Sequence, residues 1–144
     1  MLLDVNDLEV AYGDYQVVWG VSLSVAPGES VALLGPNGSG KSTVVNTISG
    51  LLPVKAGDIR FEGTSLVGRP THTRASLGIA HVLELKQRVL TIVMIEHNMQ
   101  VIMRLADRIL ALHAGRPIAF GVPEQVRNEP AVVDAYLGTI DDAA

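Results

Sequence analysis

The residues with the clearest capacity for chemistry run Gly35-Pro36-Asn37-Gly38-Ser39-Gly40-Lys41-Ser42. They match the G-x-x-x-x-G-K-[ST] pattern of a P-loop at every position. Glycine allows successive backbone N–H groups to turn inward and lets phosphate oxygens approach the main chain, which bulkier residues would block. Lys41 supplies a mobile positive charge for the β- and γ-phosphates. The Ser42 hydroxyl is placed to ligate Mg²⁺, with Thr43 behind it. The implied ligand is a nucleoside triphosphate, ATP before any other. The plain alternative is a glycine-rich turn with a surface lysine.

The flanking elements decide between the two. Ser30-Val31-Ala32-Leu33-Leu34 is a short apolar run of the kind that a strand covered on both faces produces. A helix is expected from about Lys41 to Ser49, with Gly50 as its C′ stop and Pro53 just beyond. The helix would add its positive N-terminal end to the loop. A P-loop belongs between such a strand and such a helix, so the functional reading prevails.

Elsewhere Leu8 to Tyr12 and Val21 to Val25 alternate as half-buried strands do, and Pro27-Gly28 makes a turn. Ile59-Arg60-Phe61 reads as a short strand, 70–77 as one or two helical turns, and Ile79 to Val82 as another strand. Val89 to Ile95 is β-branched and nearly continuous, which predicts a buried strand. Asn98 to Ala106 has helical spacing, Ile109 to Leu112 reads as a strand turning at Ala114-Gly115, and Pro123 and Pro130 open two short helices, to Arg127 and Leu137. Strands alternating with helices predict an α/β fold in one domain, residues 1–144.

Composition bounds the remaining function classes. The 144 residues are 48% hydrophobic but only 4% aromatic, so aliphatic side chains must fill the core. A net charge of −4 without a run of like charges argues against nucleic acid as a partner. Cysteine is absent, which removes disulfides and thiolate metal sites and fits a reducing cytoplasm. Met1-Leu2-Leu3-Asp4 turns acidic at once, unlike a secretory signal. The apolar runs are far short of the roughly 20 residues of a spanning helix, so any membrane role is expected to be peripheral.

The loop and its surroundings resemble the ATP-binding subunits of ABC transporters. The resemblance rests on Val10-Ala11-Tyr12-Gly13, on Val21-Ser22-Leu23 before Pro27-Gly28-Glu29, and on Val31 to Leu34 entering Gly35-Pro36-Asn37-Gly38. Thr47-Ile48-Ser49-Gly50-Leu51-Leu52, Gly78-Ile79-Ala80-His81-Val82 and Asp134-Ala135-Tyr136-Leu137-Gly138 look like the subgroup that drives branched-chain amino-acid uptake. The likeness implies the P-loop NTPase-type sheet of ABC ATPases with an antiparallel β-subdomain, ATP and Mg²⁺ as ligands, and ATP hydrolysis as the activity. It also implies transmembrane permease subunits and a second ATP-binding subunit as partners, and a cytoplasmic place on the inner face of the cell membrane. Tyr12 falls where the family stacks an aromatic on adenine; without the family it would be an ordinary strand tyrosine. His97 follows Ile95-Glu96 as the family's switch histidine does, where a ring N–H reaches the γ-phosphate or the attacking water. The bland alternative is a histidine beside the next helix. His72, His81 and His113 show no ligand spacing.

The likeness comes in two blocks that meet near Glu84-Leu85-Lys86. The family's glutamine loop, its Ser-Gly-Gly signature and its apolar strand ending in Asp-Glu have no recognisable counterpart here. Gln87 has unrelated neighbours, and the sequence holds no Ser-Gly-Gly and no Asp-Glu. Too few residues separate Lys41 from His97 for a helical subdomain and two further core strands. Glu96, ending Ile92-Val93-Met94-Ile95, could imitate the family's general base, yet His97-Asn98-Met99 after it matches the switch region instead. The sequence therefore predicts an internally shortened ABC-type subunit that binds ATP with little or no turnover. A non-hydrolysing regulatory module is the second reading. A P-loop kinase ranks last, since no acceptor lid or second basic cluster is evident.

Overall fold

In the computed structural model the described residues are 2–36, 38–70, 92–96 and 103–134; of 92–96 they comprise the backbone and the Val93 side chain. Strand β1 (Leu3–Tyr12) pairs antiparallel with β2 (Tyr15–Val25) on one side and with β4 (Ala56–Phe61) on the other. The two-residue β5 (Thr64–Ser65) completes a four-stranded sheet ordered β2-β1-β4-β5. A second sheet is ordered β6-β3-β7-β8, built from β3 (Ser30–Leu34), β6 (Ile92–Glu96), β7 (Arg108–His113) and β8 (Arg116–Gly121). β3 runs parallel to both β6 and β7, whereas β8 is antiparallel to β7. The expected α/β architecture with an antiparallel β-subdomain is what the chain adopts.

Helix α1 (Lys41–Ile48) follows β3, and α2 (Pro123–Asn128) and α3 (Pro130–Val132) follow β8. Proline opens α2 and α3, where its absent N–H costs nothing. α1 ends as its sequence predicts: the Gly50 N–H donates to the Thr47 carbonyl at 3.2 Å and the Leu51 N–H to that of Asn46 at 2.8 Å. These two bonds satisfy carbonyls that the last helical turn would leave unpaired. Residues 103–105 are helical, so the described end of the expected 98–106 helix falls one residue short. The predicted elements at 70–77 and 79–82, and residues 89–91 of the predicted strand, lie outside the described residues apart from Pro70.

The core has two compartments divided by the β3–β7 sheet. Val31, Leu33, Leu110 and Leu112 face α1 (Val44, Ile48) and the antiparallel sheet. Ala32, Leu34, Ile109 and Ala111 face Val126 and Val132 on the opposite side. A strand clad on both faces has no polar alternation, and this explains the uninterrupted apolar sequence of β3. Among the described residues the buried hydrophobic set is wholly aliphatic, each larger side chain adding about 1.5–3 kcal/mol.

Arg108 ties the sheets together at the end remote from α1. Its Nε donates to Glu29 Oε2 at 2.9 Å and its Nη2 to Oε1 at 2.7 Å, a two-point contact. Nη2 also donates to the Ser24 carbonyl of β2. The guanidinium lies 4.6 Å from the Phe120 ring centroid on β8. The Arg108 hydrogen bonds hold the Glu29 carboxyl below the usual carboxylate range against the opposing pull of burial.

Candidate functional site

β3 delivers the chain to Gly35 at the carboxyl end of a parallel strand, where α/β sheets place their ligand loops. Gly35 is buried, and a β-carbon there would stand 2.3 Å from Ser39 Oγ and 2.8 Å from the Leu112 carbonyl oxygen. Only glycine fits this first position. Pro36 is exposed, and its carbonyl accepts from the Ser39 N–H at 3.1 Å, closing a turn across residues 36–39. Gly38 is exposed at the crest of that turn. Asn37 lies outside the described residues.

Gly40 caps α1 with φ 103°, a left-handed conformation that a side chain disfavours. Its carbonyl accepts the first helical bond, from the Val44 N–H at 3.0 Å. The N–H groups of the first α1 turn, at Lys41, Ser42 and Thr43, have no earlier carbonyl in the helix to reach. They form the positive end of the helix beside the loop. Lys41 is 7% exposed, and its ammonium donates to the Gly35 carbonyl, folding the side chain across the loop. Ser42 is exposed in the first turn, so its hydroxyl is accessible to a ligand.

Tyr12, at the end of β1, is 51% exposed and its hydroxyl lies 3.3 Å from Thr43 Oγ1. The tyrosine chosen for the base and the helix chosen for the phosphates are thus brought side by side from distant parts of the chain. Glu96 ends β6 in register with Leu34, the last residue of β3. His97, which follows it, lies outside the described residues, as does Gln87.

The donor set fits an anionic ligand of phosphate type. Ser39 Oγ is buried, at 2% exposed, with no hydrogen-bond partner among the described residues. Such an atom is costly unless a ligand satisfies it. Among the described residues no cluster of three His, Cys, Asp or Glu side chains could hold a metal. The Ser42 hydroxyl and oxygens of the ligand itself are of the hard-oxygen type that a Mg²⁺ ion would take.

Sequence reasoning missed the support behind the loop. The Leu112 carbonyl at the end of β7 blocks Gly35, and the Gly115 N–H donates to the Ser39 carbonyl at 2.8 Å. Both contacts come from backbone atoms of a distant hairpin, and no motif marks them.

Comparison with known proteins agrees with this geometry. A family model described as ABC transporter matches residues 18–133. An uncharacterized ABC transporter ATP-binding protein of Rhizobium meliloti is 38% identical over 100 residues, covering 69% of this chain and 37% of that protein. The chain thus spans little more than a third of that relative's length. The high-affinity branched-chain amino acid transport ATP-binding protein BraF of Pseudomonas aeruginosa is 23% identical over 249 residues, covering 95% of this chain and 98% of that protein. Among solved structures, a nucleotide-free ATP-binding cassette from an ABC transporter superposes with a TM-score of 0.83 at 16% identity, over 94% of this chain and 98% of the other. Loop, helix, sheet order and family match converge: this chain belongs to the ABC transporter family.

Proposed function

We propose that this chain is an ATP-binding subunit of an ABC importer, holding Mg·ATP on Gly35 to Ser42 with Tyr12 against the adenine. The observation that carries this reading is the loop itself: a blocked Gly35, a left-handed Gly40 opening α1, and Lys41 folded across them. Thr43 beside the Tyr12 hydroxyl adds a base platform to a phosphate site. Among the described residues no helix is long and apolar enough to cross a membrane, which suits a subunit that docks on transmembrane permease partners. Branched-chain amino acids are the favoured cargo, supported by the likeness to BraF and by the residues of that subgroup. His97 is assigned to sensing the γ-phosphate.

The second reading, a nucleotide-binding module without turnover, is favoured by one specific observation. The alignment with BraF extends over 249 positions, more than this chain has residues, while reaching 95% of the chain. That supports an internal shortening around Glu84 to Lys86, with the signature and the Asp-Glu strand inside the lost segment. Phosphoryl transfer depends on a positioned water and on charge stabilisation around the γ-phosphate, and both features serve it in this family.

Calorimetric titration with Mg·ATP tests the binding claim. Lys41→Ala should weaken affinity about 100-fold or abolish binding, because a charge-assisted contact to phosphate is worth about 1.5–3 kcal/mol. Equal affinity in the variant refutes the P-loop assignment. Phosphate release by the purified chain should stay at background, and steady turnover that Lys41→Ala removes would reject the shortened-module reading.

A further inference from the structure

The turn joining β7 to β8 is wedged between the P-loop and β2. Ala114 and Gly115 have φ 51° and 77°, the left-handed pair of a tight two-residue hairpin. The Gly115 N–H donates to the Ser39 carbonyl at 2.8 Å, and its own carbonyl accepts from the Trp19 N–H at 2.8 Å. A β-carbon on Gly40 would lie 3.3 Å from the Gly115 Cα. A β-carbon on Gly115 would lie 1.8 Å from the Val17 carbonyl oxygen and 3.2 Å from Trp19 Cδ1. The next residue, Arg116, stacks its guanidinium 4.7 Å from the Trp19 ring centroid. The tip is bonded to both neighbours and has no room for a side chain towards β2.

Planarity of the peptide bond gives this contact a consequence. No peptide in the chain's described part is cis, so the Ser39 carbonyl and the Gly40 N–H point in opposite directions. A tip that captures the Ser39 carbonyl therefore aims the Gly40 N–H away from the hairpin. We propose that Gly115 is a positioning residue for phosphate binding, fixing the Ser39–Gly40 peptide so that its N–H faces the ligand. The inference deepens the ATP-site reading and rests on it. Gly115 touches no nucleotide; it acts through the loop backbone.

The test compares wild type with Gly115→Ala, Arg116→Ala and Gly63→Ala. Gly63 is the control, because it has φ 82° with nothing within 4 Å of a β-carbon. It therefore carries the same conformational cost without a steric overlap. Two readouts are needed: Mg·ATP affinity, and hydrogen exchange of the 36–43 segment in nucleotide-free protein. Gly115→Ala should weaken Mg·ATP about tenfold or more and speed exchange in that segment, as loss of a buried hydrogen bond predicts. Gly63→Ala should lower thermal stability and leave both readouts at wild-type values. If Gly115→Ala does not fold, Arg116→Ala loosens the same tip and should move both readouts in the same direction by a smaller factor. Wild-type exchange in the folded Gly115→Ala or Arg116→Ala protein overturns the proposal. So does an equal loss of affinity in Gly63→Ala. Absence of Mg·ATP binding by wild type rejects the ATP-site reading instead, and the exchange data then still decide whether the tip holds the loop.

Discussion

The β4–β5 hairpin turns through Glu62 and Gly63, with φ 51° and 82°, and the β7–β8 hairpin through Ala114 and Gly115, with φ 51° and 77°. Their backbones are nearly the same, and their surroundings are not. A β-carbon on Gly63 would meet open space, while the Glu62 N–H donates to the Leu2 carbonyl at 2.8 Å, next to the β1–β4 pairing, and side chains add to the hold. Asp58 accepts from the Ser65 hydroxyl at 2.6 Å and from Arg60 Nε at 2.7 Å. The second tip is held by main-chain bonds to Ser39 and Trp19. The first turn is therefore tied only within its own sheet, whereas the second joins its hairpin to the glycine-rich loop and to a strand of the other sheet. A glycine at φ near 80° carries no information about which of the two it will be.

The difference can be broken experimentally. Gly115→Ala has the largest expected effect, a loss of about 3 kcal/mol or more in unfolding free energy, since strain at positive φ adds to an overlap with unyielding backbone. Denaturant titration measures it, and a loss as small as that of Gly63→Ala would erase the contrast. Gly63→Ala should cost about 1–2 kcal/mol, the conformational term alone.

Asp58→Asn should cost least, about 1 kcal/mol at neutral pH, and its effect should depend on acid. The Ser65 hydroxyl first, then the Arg60 guanidinium, hold the Asp58 carboxyl below its ordinary value. A depressed carboxylate stabilises the fold above the unfolded-state pKa, and that stability is lost as pH falls through the folded-state value. The gap between wild type and Asp58→Asn should thus be full at pH 7, begin to shrink near about pH 4, and close only as pH falls through the lower folded-state value. Gly115→Ala should show no such closure, because the bonds at its tip involve no carboxylate. Parallel pH profiles for the two variants would contradict the assignment of Asp58.

Much of this site was legible in the sequence because its signals are local. The apolar β3, the glycine pattern, the start of α1 at Lys41 and its stop at Gly50 all lie within one continuous stretch. Tyr12 was legible only through family resemblance, since its link to Thr43 joins residues far apart in sequence. Other elements were obscured for physical reasons. β1 starts at Leu3, but a bulge shifts its buried residues from Leu3 and Val5 to Leu8 and Val10, so the alternation breaks at Asn6-Asp7. β8 was not anticipated, because Pro117 lies within it and it has no fully buried residue to produce an alternating pattern. The Gly115 contact could not be read at all, since its partners are backbone atoms of Val17, Trp19 and Ser39.

The parallel pairing of β3 also governs when the loop can take shape. Both strands that flank β3 come from later in the chain, and the Ser30 N–H bonds to an Asp107 carboxylate 77 residues on. Joining ends so far apart means that loop-closure entropy is lost before any pairing is gained. During synthesis Gly35 to Ser42 leave the ribosome long before Leu112 and Gly115 exist to support them. The nascent motif is complete in sequence yet unformed, and it takes the backbone contacts described above only after the β7–β8 hairpin has followed it out.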